Sequence, residues 1–137
     1  MQDIVLDTNC LIVSLSRKSP YYSIWKDFRE GKYVLCITNE IIAEYEEKIC
    51  EKMSPEIAAN VITAILARDN VRRLNPAYKF HLIEADPDDN KFVDCAIHAN
   101  AKYIVTNDHH FDVLKQIDFP KVNVIDIDSF LCELGNF

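Results

Sequence analysis

Ile4-Val5-Leu6-Asp7-Thr8-Asn9 near the start and Tyr103-Ile104-Val105-Thr106-Asn107-Asp108 far along the chain are built to one plan. In each, a short apolar run rich in β-branched residues gives way to a polar stretch that carries an aspartate. A short run that is apolar throughout reads as a strand buried on both faces, the habit of parallel sheets covered by helices. Tyr33-Val34-Leu35-Cys36-Ile37 has the same character, Val71 to Leu74 has it more weakly, and Val122-Asn123-Val124-Ile125 supplies a last run.

Helical signals fill the intervals. Ser19-Pro20 is a cap followed by proline at the first helical position, with Ile24, Trp25 and Phe28 at helical spacing until Gly31. Thr38 caps a helix with Ile41, Ile42, Tyr45 and Ile49 on one face. Ser54-Pro55 opens another, with Ile57, Ala58, Val61, Ile62, Ile65 and Leu66. Asn75-Pro76 to Pro87 reads as a connecting loop. Asp88 or Asp89 then opens a helix carrying Phe92, Val93, Ala96 and Ile97, Asp108 to Lys115 reads as a short helix, and Ser129 to Leu134 as the closing one. The alternation predicts an α/β fold with a mainly parallel sheet covered on both faces. At roughly 150 residues per domain, residues 1–137 are expected to form a single domain.

The composition removes several function classes. The only two glycines, Gly31 and Gly135, leave no place for a dinucleotide fingerprint, a Walker loop or a kinase glycine loop. Fifteen Lys and Arg against 22 Asp and Glu give a net charge of −7, which argues against one broad nucleic-acid-gripping basic surface. The five cysteines are odd in number and lack metal-ligand spacing, so they read as reduced core thiols. Met1-Gln2-Asp3 leads straight into the first strand with no basic leader, and a cytoplasmic protein is expected.

In parallel α/β sheets, ligands bind beyond the carboxyl ends of the strands. Asp7 and Asp108 both follow strands and belong at that edge. Glu44 and Asp94 lie on helices at the border of the apolar stripe, able to face a cleft or water. Taken singly, Asp108 reads equally well as a helix cap, and Glu44 and Asp94 as solvated charges. Several carboxylates in one cleft resist joint ionisation, and a hard divalent cation relieves them. Mg²⁺ or Mn²⁺ held by carboxylates suggests phosphodiester chemistry.

These residues together resemble the PIN domain. The resemblance is carried by Asp7-Thr8-Asn9 after a strand, Glu44 in an early helix, Asp86-Pro87-Asp88-Asp89-Asn90-Lys91-Phe92-Val93-Asp94-Cys95-Ala96, and Tyr103-Ile104-Val105-Thr106-Asn107-Asp108. It is closest to the prokaryotic PIN proteins of toxin-antitoxin pairs and extends over nearly the whole chain. It implies a three-layer α/β/α sandwich and a Mg²⁺- or Mn²⁺-dependent endoribonuclease, one or two ions, leaving a 5′-phosphate and a 3′-hydroxyl. It also implies an RNA substrate, a small antitoxin partner and a homodimer. The four acids map onto Asp7, Glu44, Asp94 and Asp108 as metal ligands and catalytic residues, with Asn9 and Thr106 in support. Asp89 and Asn90 occupy the loop before the third acid. Relatives often carry a further acid where His110 stands, and Asp112 is the substitute on offer.

Lys91, Arg72, Arg73 and His109 are candidate contacts for an RNA backbone, against the plainer reading of a charged surface. Trp25, between Ile24 and Phe28, is expected in the core. A catalytically inactive scaffold of the same fold is the alternative. A phospho-receiver domain is disfavoured, because Val71 to Leu74 ends in Asn75 rather than an acceptor aspartate and Ile125 is followed by Asp126 rather than lysine.

Overall fold

A computed structural model describes residues 1–135. Strands Asp3–Leu6 (β1), Val34–Ile37 (β2), Val71–Arg73 (β3), Tyr103–Val105 (β4) and Val124–Ile125 (β5) form one parallel sheet in the order β3-β2-β1-β4-β5. Helices Thr8–Val13 (α1), Tyr22–Arg29 (α2), Asn39–Lys52 (α3), Pro55–Leu66 (α4), Asn90–Ala99 (α5) and Ile127–Glu133 (α6) flank it, giving the expected α/β sandwich. The β-branched runs are where burial is complete. Ile4, Val5, Leu35, Ile37, Ile104 and Val105 have no exposed surface, each contributing about 2 kcal/mol by leaving water.

The strand order locates the functional edge. From β1 the chain moves outward through β2 and β3, then returns to the other side of β1 for β4 and β5. The order therefore reverses between β1 and β4, and a crevice opens at their carboxyl ends. Leu6 pairs with Val105 there, so Asp7 and Thr106 emerge side by side.

Local signals held where a cap faced a strong apolar stripe. The Thr38 hydroxyl accepts the Ile41 N–H at 3.2 Å, and Ser54 accepts the Ile57 N–H at 3.1 Å with Pro55 opening α4. Other boundaries moved. Ser19-Pro20 does not begin a helix: Ser19 Oγ accepts the Tyr21 N–H at 3.0 Å in a turn, and α2 starts at Tyr22. The segment after Asp108 winds as a 3₁₀ helix, His109–Gln116. The closing helix starts two residues early because Asp126 accepts the Ser129 N–H at 2.7 Å and takes the cap itself. Asp89 stands at the N-cap of α5 as expected, though without a side-chain cap bond, and Asp86 caps the 3₁₀ turn before it, Pro87–Asp89, by accepting the Asp88 N–H at 3.1 Å.

Trp25 is buried as expected. Cys10, Cys36 and Cys95 are core thiols, but Cys50 and Cys132 are exposed and correct the reading of all five as core. Among the described residues no helix is long and apolar enough to cross a membrane.

Candidate active site

Asp7 stands at the N-cap position of α1, but its side chain makes no capping hydrogen bond. Its backbone N–H extends the ladder to the Val105 carbonyl at 3.0 Å, and its carboxylate accepts the Thr106 hydroxyl at 2.8 Å. The same Thr106 oxygen accepts the Asp108 N–H at 3.0 Å. One buried hydroxyl thus sets two acids from two strands. Asp108 in turn accepts the His110 N–H at 2.9 Å and caps the 3₁₀ helix, so its capping reading and its place in the cleft are both realised.

Burial raises the Asp7 pKa above the ordinary carboxylate value, and the charges of Glu44 and Asp108 raise it further, against the bonds from Thr106 and the Thr8 backbone. Glu44 comes from α3, whose register Thr38 fixes. It is held from both sides: the Thr8 hydroxyl donates to Oε2, and Lys91 Nζ lies 2.8 Å from Oε1.

The third acid at the crevice is Asp89. Burial lifts its pKa to about 6, with Asp108, Asp86 and Asp7 adding to the rise. His110 Nδ1 lies 3.4 Å from Asp89 and 3.5 Å from Asp108. Asp86, Asp89 and His110 present ligand atoms within 4.8 Å of one another. Asp94 is elsewhere. Its carboxylate accepts the Phe80 N–H at 3.1 Å and lines a separate cavity with Thr38, Asn39 and Lys79. Five residues of helix carry it about 140° round and roughly 7.5 Å along from Asp89.

The structure therefore gathers Asp7, Glu44, Asp89 and Asp108, with Asp94 apart. A signal for Asp89 was present in the sequence. A helix that feeds a parallel strand begins at the carboxyl edge of the sheet, so the acid before its first turn faces the crevice. The loop is pinned there by Asn90, whose side chain accepts the Ile83 N–H at 2.9 Å and donates to the Ile83 carbonyl at 2.8 Å.

The supporting candidates are spread around this centre. Asn9 borders a hollow with Asp7 and Asp108 and accepts Lys52 Nζ at 2.9 Å. Asp112 is exposed beside His109 and Lys115, each at 3.4 Å, and His109 is the more open partner. Arg73 donates to Asn39 at 3.3 Å, whereas Arg72 pairs with Asp3 at 2.5 Å and with the Ala99 carbonyl at 2.9 Å. Lys91 is the basic candidate in direct contact with the acids.

A model of the PIN domain matches residues 3–110. The chain belongs to the PIN-domain family. That match contains Asp7, Glu44, Asp89, Asp94 and Asp108. No curated protein matches the sequence. Among solved structures, this PIN domain is similar to DNA-bound VapBC from Salmonella typhimurium, at 20% identity and a TM-score of 0.62 over 93% of this chain and 99% of that one. It is also similar to VapC20 of Mycobacterium tuberculosis, a sarcin-ricin loop cleaving toxin, at 12% identity and 0.56 over 82% and 94%. The PIN domain endonuclease Utp24 aligns at 18% identity and 0.53 over 90% and 84%. At these identities the likeness is one of fold. The donor set of this PIN domain, crowded carboxylate oxygens among which Asp7 and Asp89 have pKa values pushed up by burial and by neighbouring acids, fits a hard divalent cation such as Mg²⁺ or Mn²⁺.

Proposed function

We propose that this PIN domain is a Mg²⁺- or Mn²⁺-dependent endoribonuclease, the toxin of a toxin-antitoxin pair. The observation that carries the reading is the convergence of Asp7, Glu44, Asp89 and Asp108, from four segments of chain, at the strand-order reversal. The elevated pKa values of Asp7 and Asp89 mark a site that gains when a cation enters. The similarity to VapBC and to a ribosomal-loop cleaving toxin supports the toxin reading and an antitoxin partner.

In this reading the four carboxylates would hold the cation, and Asp94, which the family resemblance maps into this set, would stand outside it. Thr106 orients Asp7 and positions the Asp108 backbone, while Thr8 and Lys91 keep Glu44 turned toward the crevice. A bound cation supplies a Lewis acid for the phosphoryl oxygen and lowers the pKa of the attacking water. His109, exposed at the rim, and Arg73, at the carboxyl end of β3, are placed to meet the phosphates of a strand entering the cleft. Arg72 is committed to Asp3 and Ala99.

The test is cleavage of end-labelled single-stranded RNA and DNA of matched sequence, in Mg²⁺, Mn²⁺ or EDTA, by wild type and Asp89→Asn. Metal-dependent cutting of RNA that Asp89→Asn abolishes is expected. Cutting that survives both EDTA and the substitution would falsify the reading.

A further inference from the structure

Beside the acidic crevice lies a second cavity, of about 240 Å³. The first turn of α3, the 74–81 segment and one face of α5 enclose it, and Asn39, Glu40, Lys79, His81, Lys91 and Asp94 are among its walls. Two features join it to the crevice. Lys91 lines the cavity and reaches Glu44 at 2.8 Å, and Glu40 in the wall sits one helical turn before Glu44.

Asp94 is the unusual element. It is 5% exposed, yet the Phe80 N–H at 3.1 Å is the one donor that its side chain meets among the described residues. A carboxylate has about four acceptor positions, so most of its capacity is unspent and open to the cavity. The cations in the wall are engaged elsewhere. Lys91 binds Glu44 and the Asp88 carbonyl at 2.7 Å, and Lys79 lies 3.6 Å from Glu40. Neither oxygen of Asp94 is both fully buried and unpartnered, so the one that Phe80 does not meet is open to the cavity, where water or a ligand supplies its donors.

We propose that this cavity is a base-recognition subsite, in which Asp94 accepts the Watson–Crick N–H groups of a guanine next to the scissile phosphate. The inference rests on the nuclease reading above and adds its sequence preference. Guanine offers an imino N–H and an amino N–H side by side, matching the two oxygens of a carboxylate. Adenine and cytosine offer an amino group alone, and uracil sets its single N–H between two carbonyls that a carboxylate repels. Flat and apolar surfaces for the base come from His81, Leu74 and Pro76 in the same wall. Tyr78, next in sequence to the wall residue Lys79, is 63% exposed and packed edge-on against Phe80 at 4.6 Å, an exposed ring of the kind on which a base can stack. An arginine from a protein partner could also satisfy Asp94. The base is favoured because the cavity adjoins, through Lys91, the crevice that a phosphodiester must occupy, and has the flat ring of His81 in its wall.

The test is equilibrium binding of labelled RNA pentamers UUXUU, in EDTA so that nothing is cut, with X guanine, inosine, adenine, cytosine or uracil. Wild type is expected to bind the guanine pentamer at least about tenfold more tightly than the adenine, cytosine and uracil forms. Inosine, which keeps the imino N–H and lacks the amino group, should fall between. Asp94→Asn, checked by circular dichroism, should bring all five within about twofold. Equal binding of the five by wild type, no binding at all, or a guanine preference that survives in Asp94→Asn overturns the proposal. Binding of an arginine-containing peptide that Asp94→Asn abolishes, with no preference among pentamers, overturns it in favour of a protein partner. The inosine comparison needs no variant to fold. Metal and turnover do not enter, so the nuclease reading fails or stands separately, through cleavage in Mn²⁺ with Asp89→Asn.

Discussion

The Thr106 hydroxyl donates to the Asp7 carboxylate at 2.8 Å, joining residues 99 positions apart. Both leave neighbouring parallel strands in register, and the same hydroxyl oxygen accepts the Asp108 N–H. The bond favours the charged form of Asp7, against the burial that raises its pKa. It also fixes which way the carboxylate faces.

Thr106→Val keeps the shape and removes the donor. Loss of such a partner to a ligating carboxylate typically weakens metal binding by about 10- to 100-fold. Titration calorimetry with Mn²⁺ is expected to show a loss in that range with the fold retained. Affinity equal to wild type would mean that Asp7 is oriented without Thr106.

Asp89 and Asp94 are separated by five residues and should behave differently. Asp89→Asn is expected to lose most Mn²⁺ affinity and cleavage together. Asp94→Asn should keep Mn²⁺ affinity within a few-fold. The reverse pattern in the same calorimetric titration would return Asp94 to the ligand set.

The acids also predict how stability varies with pH. The Asp89 pKa is raised from an ordinary 3.8 to about 6, so the folded state holds its proton more tightly than the unfolded chain does. Its contribution is fully present below pH 3.8 and is lost as pH rises through 6. At about 1.36 kcal/mol per pKa unit, the loss is on the order of 1–3 kcal/mol once partial solvation is allowed for. Metal-free Asp89→Asn should therefore melt a few degrees above wild type at pH 7.5, with the gap closing toward pH 4. Asp112 and Asp126, held below the ordinary value, act oppositely at lower pH, so the scan stops at pH 4. A gap that does not change with pH in differential scanning calorimetry would refute this assignment.

Tyr45 supports the site from beneath. Fully buried on α3, it donates its hydroxyl to the Leu6 carbonyl at 2.6 Å, one residue before Asp7. Tyr45→Phe leaves the ring's packing and removes the bond, at a cost of about 1–2 kcal/mol. Urea unfolding should show the midpoint falling with an unchanged slope. No shift would mean that the Leu6 carbonyl is satisfied by the strand ladder alone.

The readings that came true rest on burial. Ile4-Val5-Leu6, Leu35-Cys36-Ile37 and Ile104-Val105 are apolar on both faces, so they have no stable place except a sheet covered on both sides, and the α/β class follows from that alone. The placement of Asp7 and Asp108 at one edge follows too, since each ends such a run. Boundaries were less legible where two caps competed. Ser129 and Asp126 lie three residues apart, and either can open a helix. Asp126 prevails by accepting the Ser129 N–H.

The amino-acid sequence by itself determined the layers and the edge at which Asp7 and Asp108 emerge, and left Glu44 on a helix border able to face that edge or water. Only the tertiary structure placed Asp89, rather than Asp94, beside Asp7 and Asp108. A helical wheel leaves Asp94 able to face the cleft or water, because it records angle and not height along the axis. Which of the two meets the β1–β4 crevice depends on how far α5 is advanced along the sheet. That advance is set by long-range bonds: Asn90 to the Ile83 backbone, Lys91 to Glu44, and the Phe80 N–H to Asp94. No local signal encodes them, since each depends on where a distant segment or a long loop comes to rest.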